Sequence, residues 1–491
     1  MKFMNRFLVF AVAALAAAVM LVDPSWAQDA AAAAAAKAPD LTVDKGDTTW
    51  MLISTVIVLM MTVPGLALFY GGMVRTKNML SVLTQVLAIQ AIACVVWFCW
   101  AYSIAFTSGA DHGFGSFFGG ITKIFANTIE GSVPLTNKVE TFTLGVGLNE
   151  WVFMCFQMTF CSITTALAIG GFAERMKFSA IVIFAILWPT LVYAPIAHMV
   201  WYWPGPSGVA TGSTDIPGLV WSFGALDFAG GTVVHISAGI AGFVGALLLG
   251  RRLGYGKEPM PPHSLALTMV GASLLWVGWF GFNAGSNLEA NDYAVLAMAN
   301  TFIATAGAGI SWMLVEWLFK GKPSLLGLVS GVIAGLVAVT PASGYAGPMG
   351  ALVLGLVAGS VCFFFCTAVK SLLGYDDTLD VFGIHAVGGT LGALATGILV
   401  DPALGGAGIV DYAKCAVADG VFTSTCAALE YNMSTQVLAQ AKGVLVTIAW
   451  SAIGSLVVYT VIAIVFGLRV SEEKEREGLD ISEHGERAYN M

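Results

Sequence analysis

The chain has 491 residues, 57% of them hydrophobic and only 11% charged, with a mean hydropathy of +0.82. That is more apolar surface than a soluble domain of this size can cover, so the chain belongs in a bilayer. At about 20 residues per spanning helix, eleven helices use about 220 residues and leave no room for a large soluble catalytic domain. A net charge of −8 and a pI near 5.2 give no basic surface for nucleic acid.

In chain order, Lys2 and Arg6 precede an apolar run from Phe7 to Val22, which Asp23-Pro24 breaks before Ser25-Trp26-Ala27. This pattern predicts a cleaved signal peptide over residues 1–27. The Ala-rich stretch from Ala27 to Ala38 is expected to be flexible, within an external linker over 28–48. Eleven apolar runs follow, centred near Val58, Ala91, Thr159, Leu187, Ala241, Leu274, Thr305, Ile333, Leu356, Ala393 and Leu456. They predict an all-α polytopic membrane domain over 49–468 and a polar tail over 469–491. An odd number of spans puts the termini on opposite sides. With the mature N-terminus outside, fourteen Lys and Arg residues face the cytoplasm and six lie outside, so the positive-inside rule gives N-out, C-in.

Six cysteines, Cys94, Cys99, Cys155, Cys161, Cys362 and Cys366, fall in predicted spans, where a thiol serves as a small apolar side chain. Cys415 and Cys426 share the external loop between the last two spans and are expected to pair.

Two spans carry a histidine and run in parallel after it: His235-Ile-Ser-Ala-Gly239-Ile-Ala-Gly242 and His385-Ala-Val-Gly-Gly389-Thr-Leu-Gly392. Glycines four and seven places on share a helix face with each histidine, so the two helices can approach closely with their imidazoles meeting. Each histidine is preceded by an aspartate near the helix start, Asp227 and Asp380. With the last span set aside these are the fifth and tenth spans, which predicts inverted five-helix repeats with the functional site at their interface. Ionisable groups inside a span are costly and line pathways, and facing neutral rings can share a proton. Two histidines without a carboxylate or thiolate at ligand spacing make a poor metal site, so no metal or other cofactor is expected.

Longer strings then stand out: Ala67-Leu-Phe-Tyr-Gly-Gly-Met-Val-Arg75, Gly171-Phe-Ala-Glu-Arg-Met-Lys-Phe-Ser179, Asp227-Phe-Ala-Gly-Gly-Thr-Val-Val-His235, Gly278-Trp-Phe-Gly-Phe-Asn-Ala-Gly-Ser286 and Asp380-Val-Phe-Gly-Ile-His385. Together, from about Thr49 to the C-terminus, they resemble the ammonium transporter (Amt/Mep/Rh) family, on its bacterial Amt side. The resemblance implies a homotrimer of eleven-helix subunits in the bacterial inner membrane, each subunit with its own pore for nitrogen uptake, and no enzyme activity. It implies that Trp201, Ser286 and Phe160 bind ammonium at an outer recruitment site, that Phe160 and Phe282 stack as a gate, and that His235 and His385 line the pore. Asp227 then supports the outer site, and Asp380 is structural. His198 is expected to face helix neighbours, while His112, His263 and His484 have no pore role.

The implied mechanism binds ammonium outside, deprotonates it near the gate and passes ammonia along the histidines, with or without a coupled proton. The string Gly467-Leu-Arg-Val-Ser-Glu-Glu-Lys-Glu-Arg-Glu-Gly-Leu-Asp resembles the family's cytoplasmic regulatory tail, implying a PII-type signal protein as partner. The rival readings are an Rh-like gas channel and an ammonium sensor with slow transport. Sensors usually carry a fused signalling domain, for which 469–491 leaves no space. A triad of Ser286, Asp227 and a histidine fails because Gly285 and Asn287 do not make the Gly-x-Ser-x-Gly elbow.

Overall fold

The computed structural model describes residues 36–110, 112–127 and 137–489; the expected signal peptide, 1–27, lies outside them. Among the described residues, eleven helices are long and apolar enough to cross a membrane: Lys45–Met73, Thr76–Phe106, Glu150–Gly171, Phe178–Trp201, Gly231–Leu249, Leu265–Gly285, Asp292–Lys320, Leu325–Ala342, Pro348–Leu373, Phe382–Leu399 and Met433–Val465. They are numbered here as spans 1 to 11, and each contains one of the predicted centres.

Short polar side chains start several of them. Asp44, Asn149, Ser264, Asn291, Ser324 and Asn432 each accept a hydrogen bond from a backbone N–H in the first turn. Such caps satisfy donors that hydrocarbon would leave unpaired.

The expected linker is corrected from Ala36 onward. Lys37 N donates to Gly420 O at 2.9 Å, and β1 (Thr42–Val43) pairs in parallel with β3 (Val146–Asn149), which is also paired with β2 (Lys138–Glu140). Span 1 then begins at Lys45, because Asp44 caps it by accepting from Gly46 N at 2.6 Å. Backbone pairing holds a stretch that composition alone reads as flexible. Beside it, β4 (Val410–Ala418) and β5 (Val421–Ala428) form a hairpin joined by the Cys415–Cys426 disulfide.

On the opposite face the tail is folded onto the membrane domain. Its short helices, Glu472–Glu477 and Leu479–His484, place Asp480 against Leu80 N and Ser81 N at 3.1 and 2.8 Å. Glu483 accepts from Phe178 N at 3.1 Å, so two tail carboxylates cap the starts of spans 2 and 4. Glu475 accepts from Leu253 N at 2.7 Å and pairs with Arg469 at the same distance.

The packing between spans 5 and 10 decides where the site sits. A Cβ on Gly239 would lie 2.3 Å from Ala386 N, and one on Gly389 would lie 2.9 Å from Gly231 O. Each glycine therefore admits the other histidine helix to backbone contact. The next glycines repeat the pattern on equivalent neighbours, Gly242 against Ala168 of span 3 and Gly392 against Ala338 of span 8.

Candidate functional site

Both histidines lie in a wide helical turn at the start of their spans, Gly231–Ile236 and Phe382–Ala386, before regular α-helix takes over. Extra backbone width at such turns is a recurrent feature of functional sites. The imidazoles are buried, their ring centroids are 5.3 Å apart and their Nδ1 atoms 3.3 Å apart. They border a narrow apolar cavity lined by Phe282, Trp279, Ile163, Leu275 and Ile333, drawn from spans 3, 6 and 8.

Above the pair, Phe282 stacks on His235 with centroids 5.9 Å apart and on Phe160 at 4.1 Å with 21° between the ring planes. Both phenylalanines are fully buried. Phe160 in turn meets the edge of half-buried Trp201 at 5.9 Å. Ser286 ends span 6, and its hydroxyl donates to Phe282 O at 2.7 Å. Its proton is thus committed, and the oxygen can offer only lone pairs to anything outside. The structure brings Trp201, Phe160, Phe282 and Ser286 into one continuous column above His235 and His385.

Asp227 does not reach into that column as a free carboxylate. Its oxygens accept from Gly230, Gly231, Thr232 and Val233 N–H groups at 2.8, 2.7, 2.8 and 3.3 Å and from the Thr232 hydroxyl. Its carbonyl holds Trp201 Nε1 at 3.1 Å. One residue thus caps span 5 and fixes the aromatic wall.

The pairing of Asp227 with Asp380 is corrected. Asp380 adopts a left-handed backbone at φ 60° and its carboxylate pairs with Lys370 Nζ at 2.6 Å. The cap of span 10 is Asp377, which accepts from Val381 N at 3.1 Å and Phe382 N at 2.8 Å. Asp377 stands eight residues before His385, as Asp227 stands eight before His235, and bonds to the same positions four and five residues on. That equal offset was present in the sequence; the nearer aspartate obscured it. Burial, with Asp380 nearby, pushes the Asp377 carboxyl up to about 6, against Lys370 and the two N–H groups.

Sequence reasoning also missed Thr340 and Trp279, which hold His235 from its other side: Nε2 lies 3.3 Å from Thr340 Oγ, and Trp279 Nε1 donates to that oxygen at 2.9 Å. The only signal was Trp279 inside the Gly278–Ser286 string.

Around the loops on the side of the tail, Arg252 bridges Glu174 and Asp376 at 2.8 Å each, and Arg75 joins Glu174 at 3.0 Å. Burial raises both carboxyls, but Arg252 with Arg75 holds Glu174, and Arg252 with Arg175 holds Asp376, below the ordinary range. His198 lies between Gly115 O and Ala105 O at 2.7 and 3.1 Å, away from the column, and His263 meets Val74 O at 3.0 Å. His112 Nε2 faces Gly119 O at 3.3 Å, and His484 Nε2 faces Ser81 Oγ at 3.1 Å.

Residues 49–489 match the profile of the Ammonium Transporter Family. This chain belongs to the ammonium transporter family. An ammonium transporter of Aquifex aeolicus is 44% identical over 456 residues, covering 93% of this chain and 96% of the relative. One from Bacillus subtilis is 40% identical, covering 90% and 98%. Among solved structures, Mep2 of Saccharomyces cerevisiae aligns with a TM-score of 0.73 at 30% identity, covering 88% of this chain and 89% of Mep2. The protein is a multi-pass membrane transporter of ammonium rather than an enzyme.

Proposed function

We propose that ammonium is held outside by Trp201, Phe160 and Ser286, loses a proton at the Phe160–Phe282 gate, and crosses as ammonia past His235 and His385. A desolvated cation gains about 1 to 2 kcal/mol from each aromatic face. The Ser286 oxygen adds an acceptor at the C-terminal, negative end of span 6. Asp227 favours the same cation indirectly, because its carboxylate neutralises the positive end of span 5.

Below the gate the balance reverses. An ion taken into hydrocarbon meets an idealised Born cost on the order of 20 kcal/mol, whereas neutral ammonia loses only hydrogen bonds. Deprotonation is the less costly route, and potassium has no proton to give up. The observation that carries this reading is the contacting imidazole pair in an apolar cavity directly beneath two stacked phenylalanines.

The same reading places the protein as a homotrimer in a bacterial inner membrane, N-terminus outside after signal-peptide removal, with the docked tail as the landing site for a PII-type signal protein. The Lys and Arg asymmetry supports the orientation. Deleting residues 471–491 should abolish shut-off by a cognate PII protein; persistent shut-off would refute that role.

The decisive test is the current from proteoliposomes after an ammonium jump, with potassium as control and His235→Ala and His385→Ala beside the parent. An ammonium-specific current that the substitutions abolish or make unselective supports charge-coupled passage through the pair. Internal alkalinisation without current means that only ammonia crosses. Selective transport unchanged in both variants would overturn the assignment of the pore.

A further inference from the structure

We infer that Thr340, at the outer end of span 8, fixes which way the histidine pair is polarised and leaves the inner ring, His385, as the pore's hydrogen-bond acceptor. The argument is a count of protons. Thr340 Oγ lies 2.7 Å from Leu336 O, 2.9 Å from Trp279 Nε1 and 3.3 Å from His235 Nε2. A carbonyl oxygen only accepts and an indole N–H only donates. The single hydroxyl proton therefore goes to Leu336 O, and one lone pair goes to Trp279. What remains for His235 is a second lone pair, so His235 Nε2 must carry a hydrogen.

The consequence runs down the pair. A neutral ring, the form an apolar cavity favours, with hydrogen on Nε2 has a bare Nδ1. The 3.3 Å contact to His385 Nδ1 then requires the hydrogen on the His385 side. His385 Nε2 keeps a lone pair, at a ring that lines the cavity, and among the described residues nothing donates to it. Ammonia, which brings three N–H donors, finds its acceptor there.

This polarity also runs against an inward proton relay. Such a relay takes up a proton at His235 Nε2, moves the Nδ1 hydrogen from His235 to His385 and releases the hydrogen on His385 Nε2. It needs a bare Nε2 on His235 and an occupied one on His385, the reverse of the arrangement that Thr340 holds. Both rings must exchange tautomer first. Thr340 is thus a positioning residue: it acts through His235, and it biases the pore toward ammonia rather than protons. This functional half rests on the reading that ammonia passes the two rings; the tautomer assignment does not.

Nitrogen NMR of the protein labelled with ring-15N histidine, in lipid and without ammonium, reads the tautomers directly. Signals are assigned by their loss in His235→Gln and His385→Gln. The parent should show His235 protonated at Nε2 and His385 at Nδ1. Thr340→Ser should keep that pattern. Thr340→Val should shift the His235 tautomer ratio by about two- to tenfold toward Nδ1, the size of one net hydrogen bond. Trp279→Phe, which leaves the Thr340 hydroxyl in place, should retain the parent pattern. A parent with His235 protonated at Nδ1, or a Thr340→Val protein with the parent ratio, would overturn the inference.

Charge moved per ammonium, measured on the same proteins, should rise in Thr340→Val and not in Thr340→Ser. An unchanged charge ratio alongside shifted tautomers would sink the functional half alone. Absence of any ammonium flux in the parent would sink the transport reading and leave the tautomer result intact.

Discussion

Asp227 and Asp377 stand at the same distance before their histidines and bond to the same two backbone positions, one at the start of span 5 and one at the start of span 10. The Asp227 carboxylate has five donors, four of them backbone N–H groups, while its own carbonyl holds Trp201. The Asp377 carboxyl has two donors, and burial, with Asp380 nearby, pushes it up to about 6. One device is used twice, with five donors at the start of span 5 and two at the start of span 10. The cation recruitment proposed above needs a fixed wall, and the saturated copy is the one that holds Trp201.

The largest effect that separates the two copies is expected from Asp227→Ala. It strips an acceptor from five donors, and with about 1 kcal/mol lost for each donor left unpaired the cost is about 3 to 5 kcal/mol. Thermal unfolding in detergent measures that loss, and ammonium uptake should fall with it as Trp201 is released. Asp377→Ala removes two bonds and should cost about 2 kcal/mol. Equal losses at the two sites would break the comparison.

A pH series sharpens it further. Because the folded Asp377 carboxyl titrates near 6 and an unperturbed one near 3.8, the native protein holds a proton across that window that the unfolded chain has released. This group therefore lowers stability as pH rises from about 4 to 6, and Asp377→Asn should flatten that part of the profile. Glu174 and Asp376 act in the opposite sense, since their lowered values make their contribution fade as pH falls. The difference between parent and Asp377→Asn isolates the cap; identical profiles would show that it does not titrate there.

The smallest effect belongs to the tail. Asp480→Ala removes a cap from span 2 and should cost about 0.5 to 2 kcal/mol, local to the tail. Limited proteolysis after Gly467 reads it out. Faster tail cleavage with unchanged uptake is the expected result, and equal cleavage would mean that Asp480 does not hold the tail.

These regions also differ in how far the sequence disclosed them. Phe282, Ser286 and both histidines were legible because they lie in the strings that carry the family resemblance, whereas Trp201 and Phe160 lie outside those strings and were named only through the resemblance. The repeated glycines announced the close helix pair, since side chains four and seven residues apart share a helix face. Asp377 was half legible: its offset from His385 equals that of Asp227, but Asp380 is nearer and drew the pairing. Thr340 was not legible, because it stands 105 residues from His235 and its role depends on which hydroxyl lone pair is still vacant. The docking of Lys37 against Gly420 was hidden for the same reason: an Ala-rich segment has no side-chain pattern to reveal backbone pairing.

By itself the sequence determined eleven spans, the bias of basic residues to one side and the two helices that had to meet. Each of these rests on hydropathy, charge or helical periodicity, properties that a local stretch of chain carries without knowing its neighbours. Only the tertiary structure decided which aspartate caps span 10, which threonine holds His235 and where the tail lies. Hydrogen bonds are directional and each donor is used once, so such assignments exist only when the partners, often more than a hundred residues apart, are already in place.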